Sequence, residues 1–304
     1  MELPVLVIGE ALIDIVIPFS GETVEHVGGS PANVAIGLAR LGHPTELATH
    51  IGTDARGRRI ADLLSAEKVG LTAGSDQAER TPTAAARLDA NGAARYEFDL
   101  AWQLDPELPL TTGHVHTGSI AATLKPGGEA VAALISRARP SATISYDPNV
   151  RPSIVGSADQ VRDEIEALIA ASDVVKASDE DIAWLYPGRS LEDVLTAWAD
   201  LGPQLCAVTR GGEGALVLAQ GEFHRLPAPK TSVVDTVGAG DSFMSGWLSG
   251  LLDAGLLGGA DARERLAVAG WDAIEPAVRR ALACAAITVS RAGANPPTRA
   301  ELPA

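Results

Sequence analysis

The sequence predicts an α/β protein in which helices cover a mostly parallel sheet. Short apolar runs that fit buried strands alternate with longer runs in which apolar residues recur at helical spacing, and this alternation is typical of parallel sheets. A chain of 304 residues with 46% hydrophobic residues can bury one large core. No linker or internal repeat interrupts the chain, so we expect a single domain over residues 1–304.

The first elements follow in order from the N-terminus. The run VLVIG at 5–9 predicts a buried strand, and the helix predicted over 31–42 has a proline near its start and a glycine at its stop. A strand in TELATHIG and an amphipathic helix over 55–70 come next. Two alternating runs around Asn91-Gly92 then predict a hairpin, which fits either an inserted β lid or an extension of the main sheet.

The second half of the chain alternates more regularly. Four strands are predicted, in HVHTGS, ATISYD, DVVKA and LCAVT. His114 and His116 alternate with apolar residues on the first of these strands, and we interpret them as structural or near the site rather than as metal ligands, since no third ligand is evident. Helices are predicted over 127–138, 158–171, 179–200, 241–254 and 272–291.

The overall charge limits the choice of partners. The net charge is −15, and an acidic surface repels nucleic-acid phosphates and anionic lipids. We therefore expect neither nucleic acid nor a membrane as a partner. Cys206 and Cys284 lie in apolar runs, as buried thiols do in a reducing compartment. The N-terminus lacks the basic region and cleavage site of a signal peptide, so a cytoplasmic protein is expected.

The segment DTVGAGD, residues 235–241, carries the main chemical signal. Small residues at Gly238, Ala239 and Gly240 let backbone N–H groups converge at the start of a helix, where the helix dipole also favours an anion. Asp241 follows in the first turn. A carboxylate base beside a site for a phosphoryl group is what phosphorylation of a hydroxyl requires. The simpler alternative is a glycine turn with Asp241 as a helix-start acid.

Two motifs together resemble a known family. DTVGAGD resembles the C-terminal signature of the ribokinase-like (PfkB) sugar kinases, and GGSPANVAIGLARLG at 28–42 matches the N-terminal signature. The order of the motifs, their spacing and the chain length also fit. The resemblance implies a doubly wound α/β fold with a small β-sheet lid, whose strands are inserted at about 11–29 and 81–104. It also implies ATP-dependent phosphorylation of a small alcohol.

The resemblance assigns roles to the DTVGAGD residues. Asp241 matches the catalytic base, and Gly238, Ala239 and Gly240 match the anion hole. Asp235 matches a ligand of the monovalent cation found in many members, K⁺ above all, with backbone carbonyls near SRAGANPP completing that site. From the residues alone, Asp235 is an acid near a turn.

The acceptor site is predicted near the N-terminus. Asp14 interrupts the apolar run ALIDIVIP, where a buried acid needs hydrogen-bonding partners such as sugar hydroxyls. It also matches a sugar-binding aspartate of the family. Gly28 and Gly29 leave room for a ligand to approach the backbone. Asn33 offers a donor and an acceptor to vicinal hydroxyls, or else is a helix-start polar residue.

A loop in the middle of the chain adds a basic residue to this prediction. The segment DPNVRP resembles the DPNxR loop of fructokinases and the related DxNxR loop of 2-keto-3-deoxygluconate kinases. Arg151 is therefore expected to approach the transferred phosphate or an acidic acceptor. The alternative is an ordinary surface arginine.

The nucleotide side is predicted from three segments. KASDEDIAWL resembles the N-x-x-E segment of the family, with Ser178 at the Asn position and Asp181 at the Glu position, where the acid acts on Mg²⁺ through water. Both residues also fit an acidic helix cap. VTRGGEGALVL matches T-x-G-x-x-G, and GANPPT falls where the family contacts the nucleoside. The residues expected beside ATP are Thr209, Gly211, Gly214 and Asn295.

The combined motifs favour one acceptor. They resemble fructokinases more than ribokinases or adenosine kinases, which predicts transfer of the ATP γ-phosphate to the 6-hydroxyl of D-fructose. The alternatives are 2-keto-3-deoxygluconate kinase, whose acidic acceptor would need Arg87, Arg95 or Arg151, and ribokinase. The lid lacks the arginine that fructokinases often carry, and Trp102 either stacks on the acceptor or packs the lid.

Two further expectations concern the state of the protein. A non-catalytic sugar-binding regulator on this fold is disfavoured, because Asp241 and the glycines are intact. Members of the family form dimers through the lid, and a homodimer of this kind is the corresponding expectation here.

Overall fold

Two separate β-sheets contain the strands of the structure, a computed structural model that describes residues 3–89 and 94–303. The strands are β1 (Val5–Ile8), β2 (Leu12–Ile17), β3 (Val24–Gly28), β4 (Thr45–Ala48), β5 (Val69–Leu71), β6 (Thr83–Leu88), β7 (Ala94–Asp99), β8 (His114–Gly118), β9 (Thr143–Asp147), β10 (Val174–Ser178), β11 (Leu205–Thr209), β12 (Ala215–Ala219) and β13 (Glu222–Leu226). The helices are α1 (Ser30–Arg40), α2 (Ala55–Ala66), α3 (Gly127–Ala138), α4 (Pro152–Val155), α5 (Ala158–Ala170), α6 (Asp179–Leu185), α7 (Leu191–Leu201), α8 (Ala239–Asp253), α9 (Ala260–Ala267) and α10 (Trp271–Val289).

The larger sheet has nine strands within the described residues, in the order β13-β12-β11-β10-β9-β8-β1-β4-β5. Neighbouring strands from β11 to β5 run parallel, and β12 and β13 are antiparallel at one edge. The chain adds strands on both sides of β1, which is the doubly wound arrangement. The predicted α/β class with a mostly parallel sheet flanked by helices is confirmed.

Two apolar layers cover this sheet, one on each face. Side chains of a strand alternate between the faces, and β1 shows it: Val5 and Val7 belong to one buried cluster, while Leu6 and Ile8 belong to the other. Helices α1, α2, α8, α9 and α10 contribute to the first cluster, and α3, α5, α6 and α7 to the second. The strands are buried on both faces, which explains their continuous apolar runs.

The smaller sheet has the order β3-β2-β6-β7, with β2 parallel to β6 and the other pairs antiparallel. Its strands lie within the predicted insertions, and the sheet is separate, so the hairpin is not an extension of the main sheet. The predicted Asn91-Gly92 turn lies outside the described residues. Thr81 lies just before β6, and its N and Oγ1 each donate a hydrogen bond over 2.8 Å to Asp54, which caps α2. These bonds connect the smaller sheet to a helix that packs on the larger sheet.

The single helix predicted over 179–200 is wrong. Two helices, α6 and α7, occupy this stretch. Pro187 has no N–H to donate, and Gly188 adopts φ +81°, a left-handed conformation that favours glycine. Ser190 then caps α7 by accepting a hydrogen bond from Asp193 N over 3.1 Å.

Other boundaries also differ from the prediction. The helix predicted to end at Gly70 stops at Ala66, and β5 begins at Val69, after Lys68 reverses the chain at φ +62°. Helix α9 and the hairpin of β12 and β13 were not predicted. This hairpin turns through Gln220 and Gly221, whose φ values of +51° and +78° are those of the two-residue turn that suits antiparallel strands.

The two cysteines are free and buried, which confirms their interpretation as buried thiols. Burial raises the pKa of each thiol to about 12. No helix in the described part of the chain has the length and apolar character needed to cross a membrane.

The two strand histidines are buried polar residues of the large sheet. His114 Nδ1 and Nε2 lie 2.8 and 2.9 Å from the hydroxyls of Thr143 and Ser145, and His116 Nδ1 lies 3.0 Å from Ser145 Oγ. Burial lowers the pKa of each imidazole to about 3. Both rings are therefore neutral. They have a structural role, in which they share hydrogen bonds with the buried hydroxyls of Thr143 and Ser145. No cluster of metal-ligating side chains occurs among the described residues.

These histidines should make the fold sensitive to acid. An unfolded histidine titrates near pH 6.5, whereas the folded pKa values of His114 and His116 are about 3. Between these values the unfolded chain binds more protons, so stability falls as the pH drops below about 6.5. Each histidine should cost about 2 kcal/mol between pH 6.5 and 5. Urea unfolding of the wild type and His114→Gln at both pH values tests this: the variant should lose less stability on acidification, and equal losses would contradict the prediction.

Candidate active site

Asp241 lies where the N-termini of two helices meet. It is in the first turn of α8, its exposed fraction is 9%, and its oxygens accept hydrogen bonds from Ser30 Oγ over 2.6 Å and from Asn33 Nδ2 over 2.8 Å. Ser30 begins α1, so the two signature motifs touch through this carboxylate. Open α/β sheets bind ligands at the carboxyl ends of their strands, and the start of a helix favours an anion.

The glycines before Asp241 fit tightly against their neighbours. Gly238 caps α8 with φ +74°, and a Cβ added there would lie 2.5 Å from Ala294 Cβ. A Cβ added to Gly240 would lie 3.2 Å from Lys176 Nζ. Residues 238–240 thus carry no side chain beyond the methyl group of Ala239, which fits the anion-hole prediction.

A buried ion pair below this point was not predicted from the sequence. Lys176 Nζ lies 2.7 Å from Asp147 Oδ2, and their side chains are 4% and 1% exposed. Burial acts to lower the pKa of Lys176. The negative charges of Asp147, Asp181 and Asp241 act in the opposite direction and hold the pKa of Lys176 above its usual value. Burial raises the pKa of Asp147 to about 6, although Lys176 acts in the opposite direction. The available signal was a charged residue in each of two apolar strands, Asp147 at the end of β9 and Lys176 in the middle of β10.

The predicted acceptor residues lie along β2, β3 and the start of α1. Asp14 is in β2, and a Cβ on Gly28 would lie 2.0 Å from Asp14 Oδ2. A Cβ on Gly29, which has φ +107°, would lie 2.4 Å from the carbonyl oxygen of Glu10. Both positions thus require glycine, because a side chain would clash with Asp14 at one and with the backbone of Glu10 at the other. They lead directly into Ser30 and so connect Asp14 to the contacts of Asp241.

Asp14 itself differs from the prediction of a buried acid. Its side chain is exposed on the smaller sheet. The surrounding protein still desolvates the carboxylate and raises its pKa, while the charges of His26 and Arg151 lower it. Arg151 is exposed and donates through Nη1 to Asn149 Oδ1 over 2.7 Å. Burial raises the pKa of Glu10, and the charge of Arg151 is among the influences that lower it.

Glu10 is a second buried acid that sequence reasoning missed. Its exposed fraction is 6%, and Oε2 accepts a hydrogen bond from Ala121 N over 3.2 Å. Burial raises its pKa to about 7, with Ser119 acting in the opposite direction. The signal was an acid directly after the first buried strand. Glu10 joins the loops that follow β1 and β8.

Trp102 packs in the interior and does not stack in the cleft. It is 5% exposed, its Nε1 donates to Ala121 O over 2.8 Å, and a Cβ on Gly127 would lie 2.3 Å from its ring. The indole belongs to the cluster that covers one face of the large sheet. Of the two predicted roles, packing is the one observed, although against α3 rather than within the smaller sheet.

Ser178, Asp181 and Thr209 meet at the carboxyl ends of β10 and β11, where Ser178 and Thr209 are register partners. Asp181 Oδ2 accepts hydrogen bonds from Ser178 N and Oγ, each over 2.8 Å, and Oδ1 accepts one from Val150 N over 2.8 Å. Asp181 therefore caps α6 and fixes the loop that carries Arg151. The helix-cap interpretation is observed, and a role toward Mg²⁺ stays a prediction.

The remaining residues predicted beside the nucleotide have different surroundings. Gly211 has φ +49° and open space beside its Cα, whereas a Cβ on Gly214 would lie 2.0 Å from Leu226 O. Asn295 Oδ1 accepts a hydrogen bond from Arg40 Nη1 over 2.6 Å. Gly214 is thus needed for packing against β13, and Asn295 is held from the side of α1.

Asp235 joins two loops at the predicted cation site. Its Oδ1 accepts a hydrogen bond from Val237 N over 3.1 Å, and Oδ2 accepts one from Gly293 N over 2.8 Å. These bonds lower its pKa. They bring the segment SRAGANPP against Asp235, as the resemblance implied. Carboxylate and carbonyl oxygens are the donors that hard cations prefer, so the residues present fit such an ion.

Comparison with known proteins identifies the class. The pfkB family carbohydrate kinases match residues 3–301, and the chain belongs to this family. It is a phosphotransferase whose acceptor is a sugar hydroxyl, and the resemblance seen in its sequence is confirmed.

Individual relatives narrow the comparison. The chain is 32% identical to a fructokinase of Klebsiella pneumoniae over 263 residues, which are 82% of this chain and 85% of that protein. It is similar to a fructokinase double mutant from Vibrio cholerae with fructose, ADP and potassium ion bound (TM-score 0.80, 26% identity, 96% of this chain and 94% of that chain). It is also similar to a sugar kinase from Pyrococcus horikoshii in complex with ATP (TM-score 0.80, 26% identity, 98% and 96% of the chains).

The packing of Gly238 leads to a prediction about the start of α8. Gly238→Ala should lower the free energy of unfolding by about 2–4 kcal/mol, because it adds a methyl group against Ala294 and strains a left-handed residue. Gly255→Ala is the matched control: Gly255 has φ +68° but open space beside it, so strain alone should cost about 1–2 kcal/mol. Denaturant unfolding measures both, and equal losses would contradict the role of the contact.

Proposed function

We propose that the protein is a fructokinase that transfers the γ-phosphate of ATP to the 6-hydroxyl of D-fructose. The observation that carries this proposal is Asp241, a nearly buried carboxylate that follows the glycine-rich start of α8 and is hydrogen-bonded to Ser30 and Asn33 of the acceptor motif. The relatives named as fructokinases supply the choice of sugar. The substrates are thus a small sugar and ATP.

The chemistry follows from the positions of these groups. Asp14, Asn33 and the backbone at Gly28 and Gly29 bind the sugar hydroxyls. A hydroxyl of the acceptor reaches Asp241, replacing a hydrogen bond that Ser30 or Asn33 makes to it. Asp241 accepts the proton as the hydroxyl oxygen attacks the γ-phosphorus. The amides of residues 238–240 bind the phosphoryl oxygens as charge develops on them, and ADP leaves.

The nucleotide and ions use the other side of the cleft. Thr209, Gly211, Gly214 and Asn295 lie along the nucleotide, with Ser178 beside them. Both oxygens of Asp181 already accept hydrogen bonds, so Asp181 acts on Mg²⁺ through water. When bound with ATP, Mg²⁺ offsets phosphate charge.

The location and assembly of the protein stay predictions. A cytoplasmic location and a homodimer through the smaller sheet are both carried over from the sequence. Tyr96 and Phe98 of β7 stack with their ring centroids 6.0 Å apart, and Tyr96 is 57% exposed. This exposed apolar surface supports an interface on the smaller sheet. Light scattering that shows a monomer at assay concentrations would contradict it.

Asp241→Asn should lower kcat by at least ~1000-fold, because an amide cannot accept the hydroxyl proton. The side chain keeps its size, so fructose affinity measured by calorimetry should change little. Ser30→Ala is the matched control, since it removes a bond to Asp241 but leaves the base. Turnover of Asp241→Asn within a factor of ten of the wild type would contradict the assignment.

The acceptor is tested by ADP release with MgATP and K⁺ across D-fructose, ribose, 2-keto-3-deoxygluconate and adenosine. Fructose should be preferred, and NMR of the product should show the phosphate at the 6-position. Arg87 and Arg95 face each other as register partners in the smaller sheet, and they with Arg151 are the candidates to bind an acidic acceptor. Preference for the keto acid would overturn the proposed sugar and indicate these arginines.

K⁺ should activate the enzyme through Asp235. Asp235→Ala removes the carboxylate that joins Val237 N and Gly293 N, so the K⁺ concentration for half-maximal activity should rise at least ~tenfold. Activity measured against K⁺ at constant ionic strength, with Na⁺ as the replacement, reports this change. An unchanged K⁺ response in the variant would remove Asp235 from the cation site.

A further inference from the structure

Lys176 is the only buried cationic side chain among the described lysines and arginines. It is the third of the five residues of β10, which lies between β9 and β11 in the large sheet, and its neighbours along the strand are apolar. Burying a charged pair in such a position is rarely favourable for stability, because desolvation offsets the attraction between the charges. The pair of Lys176 and Asp147 therefore calls for a reason beyond folding.

The ammonium group has hydrogen-bonding capacity left over. An ammonium carries three N–H donors, and Lys176 has one close partner, Asp147 Oδ2 at 2.7 Å. The nearby acids Asp181 and Asp241 both hydrogen-bond elsewhere, to Val150 and Ser178 and to Ser30 and Asn33. No further acceptor for Lys176 occurs in the described part of the chain. Two of its three donors are thus not used by the ion pair and can reach an anionic group that approaches the ammonium.

The direction of that ligand is given by Gly240. A Cβ at Gly240 would lie 3.2 Å from Lys176 Nζ and, apart from its chain neighbours and the adjoining backbone of α8, would meet no other atom of the described residues within 4 Å. Glycine therefore leaves an open gap between the ammonium and the backbone amides that begin α8. A group bound by those amides is within reach of Lys176 through this gap, and the helix start already favours an anionic group.

We propose that Lys176 is a catalytic residue that donates a hydrogen bond through the Gly240 gap to the phosphoryl group in transfer, while Asp147 holds its ammonium in place. The inference rests on the proposed kinase function and adds a residue to it. The bond from the acceptor oxygen to phosphorus forms, the bond from phosphorus to ADP breaks, and the hydroxyl proton goes to Asp241. Lys176 keeps its proton throughout and offsets the negative charge on the phosphoryl oxygens.

The competing explanation is that Lys176 only neutralises Asp147. Three forms separate the two: wild type, Lys176→Met, and Lys176→Met combined with Asp147→Asn. The single variant leaves Asp147 buried without a partner and is expected to be unstable. The double variant removes both charges with little change in volume, so thermal unfolding should show a folded protein.

Turnover of the double variant with MgATP and fructose gives the first result. Loss of one donor to a transition state costs about 10²–10³-fold in kcat, and we expect a loss in that range even though the variant is folded. A kcat within tenfold of the wild type would show that Lys176 serves only as the partner of Asp147, and would overturn the proposal.

Nucleotide binding without acceptor gives the second result. A hydrogen bond to the γ-phosphoryl group is available in ATP and not in ADP, so the ratio of the Kd for ATP to that for ADP should rise at least ~tenfold in the double variant. An unchanged ratio would contradict the contact, whereas a structural defect would weaken both nucleotides alike. If the wild type phosphorylates no sugar but the ratio still rises in the double variant, the proposed acceptor fails and the role of Lys176 stands.

Discussion

The carboxylate of Asp241 is the group on which the rest of the site depends. It is nearly buried, and its two oxygens are bonded to Ser30 and Asn33, which lie 211 and 208 positions away in the sequence. An isolated buried carboxylate is costly. Here the Ser30 hydroxyl, the Asn33 amide and the N-termini of two helices offset that cost. The fold thus brings the starts of α1 and α8 together at Asp241.

Several charged side chains lie near the Asp241 carboxylate. Lys176 lies among Asp147, Asp181 and Asp241, so acids outnumber the buried cation. This excess of acids suits a site that binds phosphates together with metal cations, because the cations offset the negative charge of the acids and of the phosphates. The start of α8 and the ammonium of Lys176 supply local positive groups, although the protein as a whole is acidic.

The smaller sheet connects the acceptor side to the large domain. Asp14 lies on β2, and Gly28 and Gly29 end β3 and lead into α1. Asp54 caps α2 and also accepts hydrogen bonds from Thr81 just before β6. The chain therefore passes directly from β3 into α1, and the contacts of Thr81 with Asp54 hold the segment before β6 against the start of α2. Movement of this sheet relative to the large sheet would act directly on Asp14 and on α1, whose Ser30 and Asn33 hydrogen-bond to Asp241.

The sequence by itself determined the α/β class, most strands and helices and the residues of the two signature motifs, because local apolar periodicity and short motifs encode these features. It did not determine the break between α6 and α7, where a proline and a glycine override helical spacing. Only the tertiary structure decided that Lys176 pairs with Asp147 and faces Gly240. Parallel register sets Ser145 and Tyr146 of β9 beside Val174 and Val175 of β10, so Asp147 and Lys176 come next to each other, and packing places the start of α8 near them. Neither relation is encoded in any one segment of the chain.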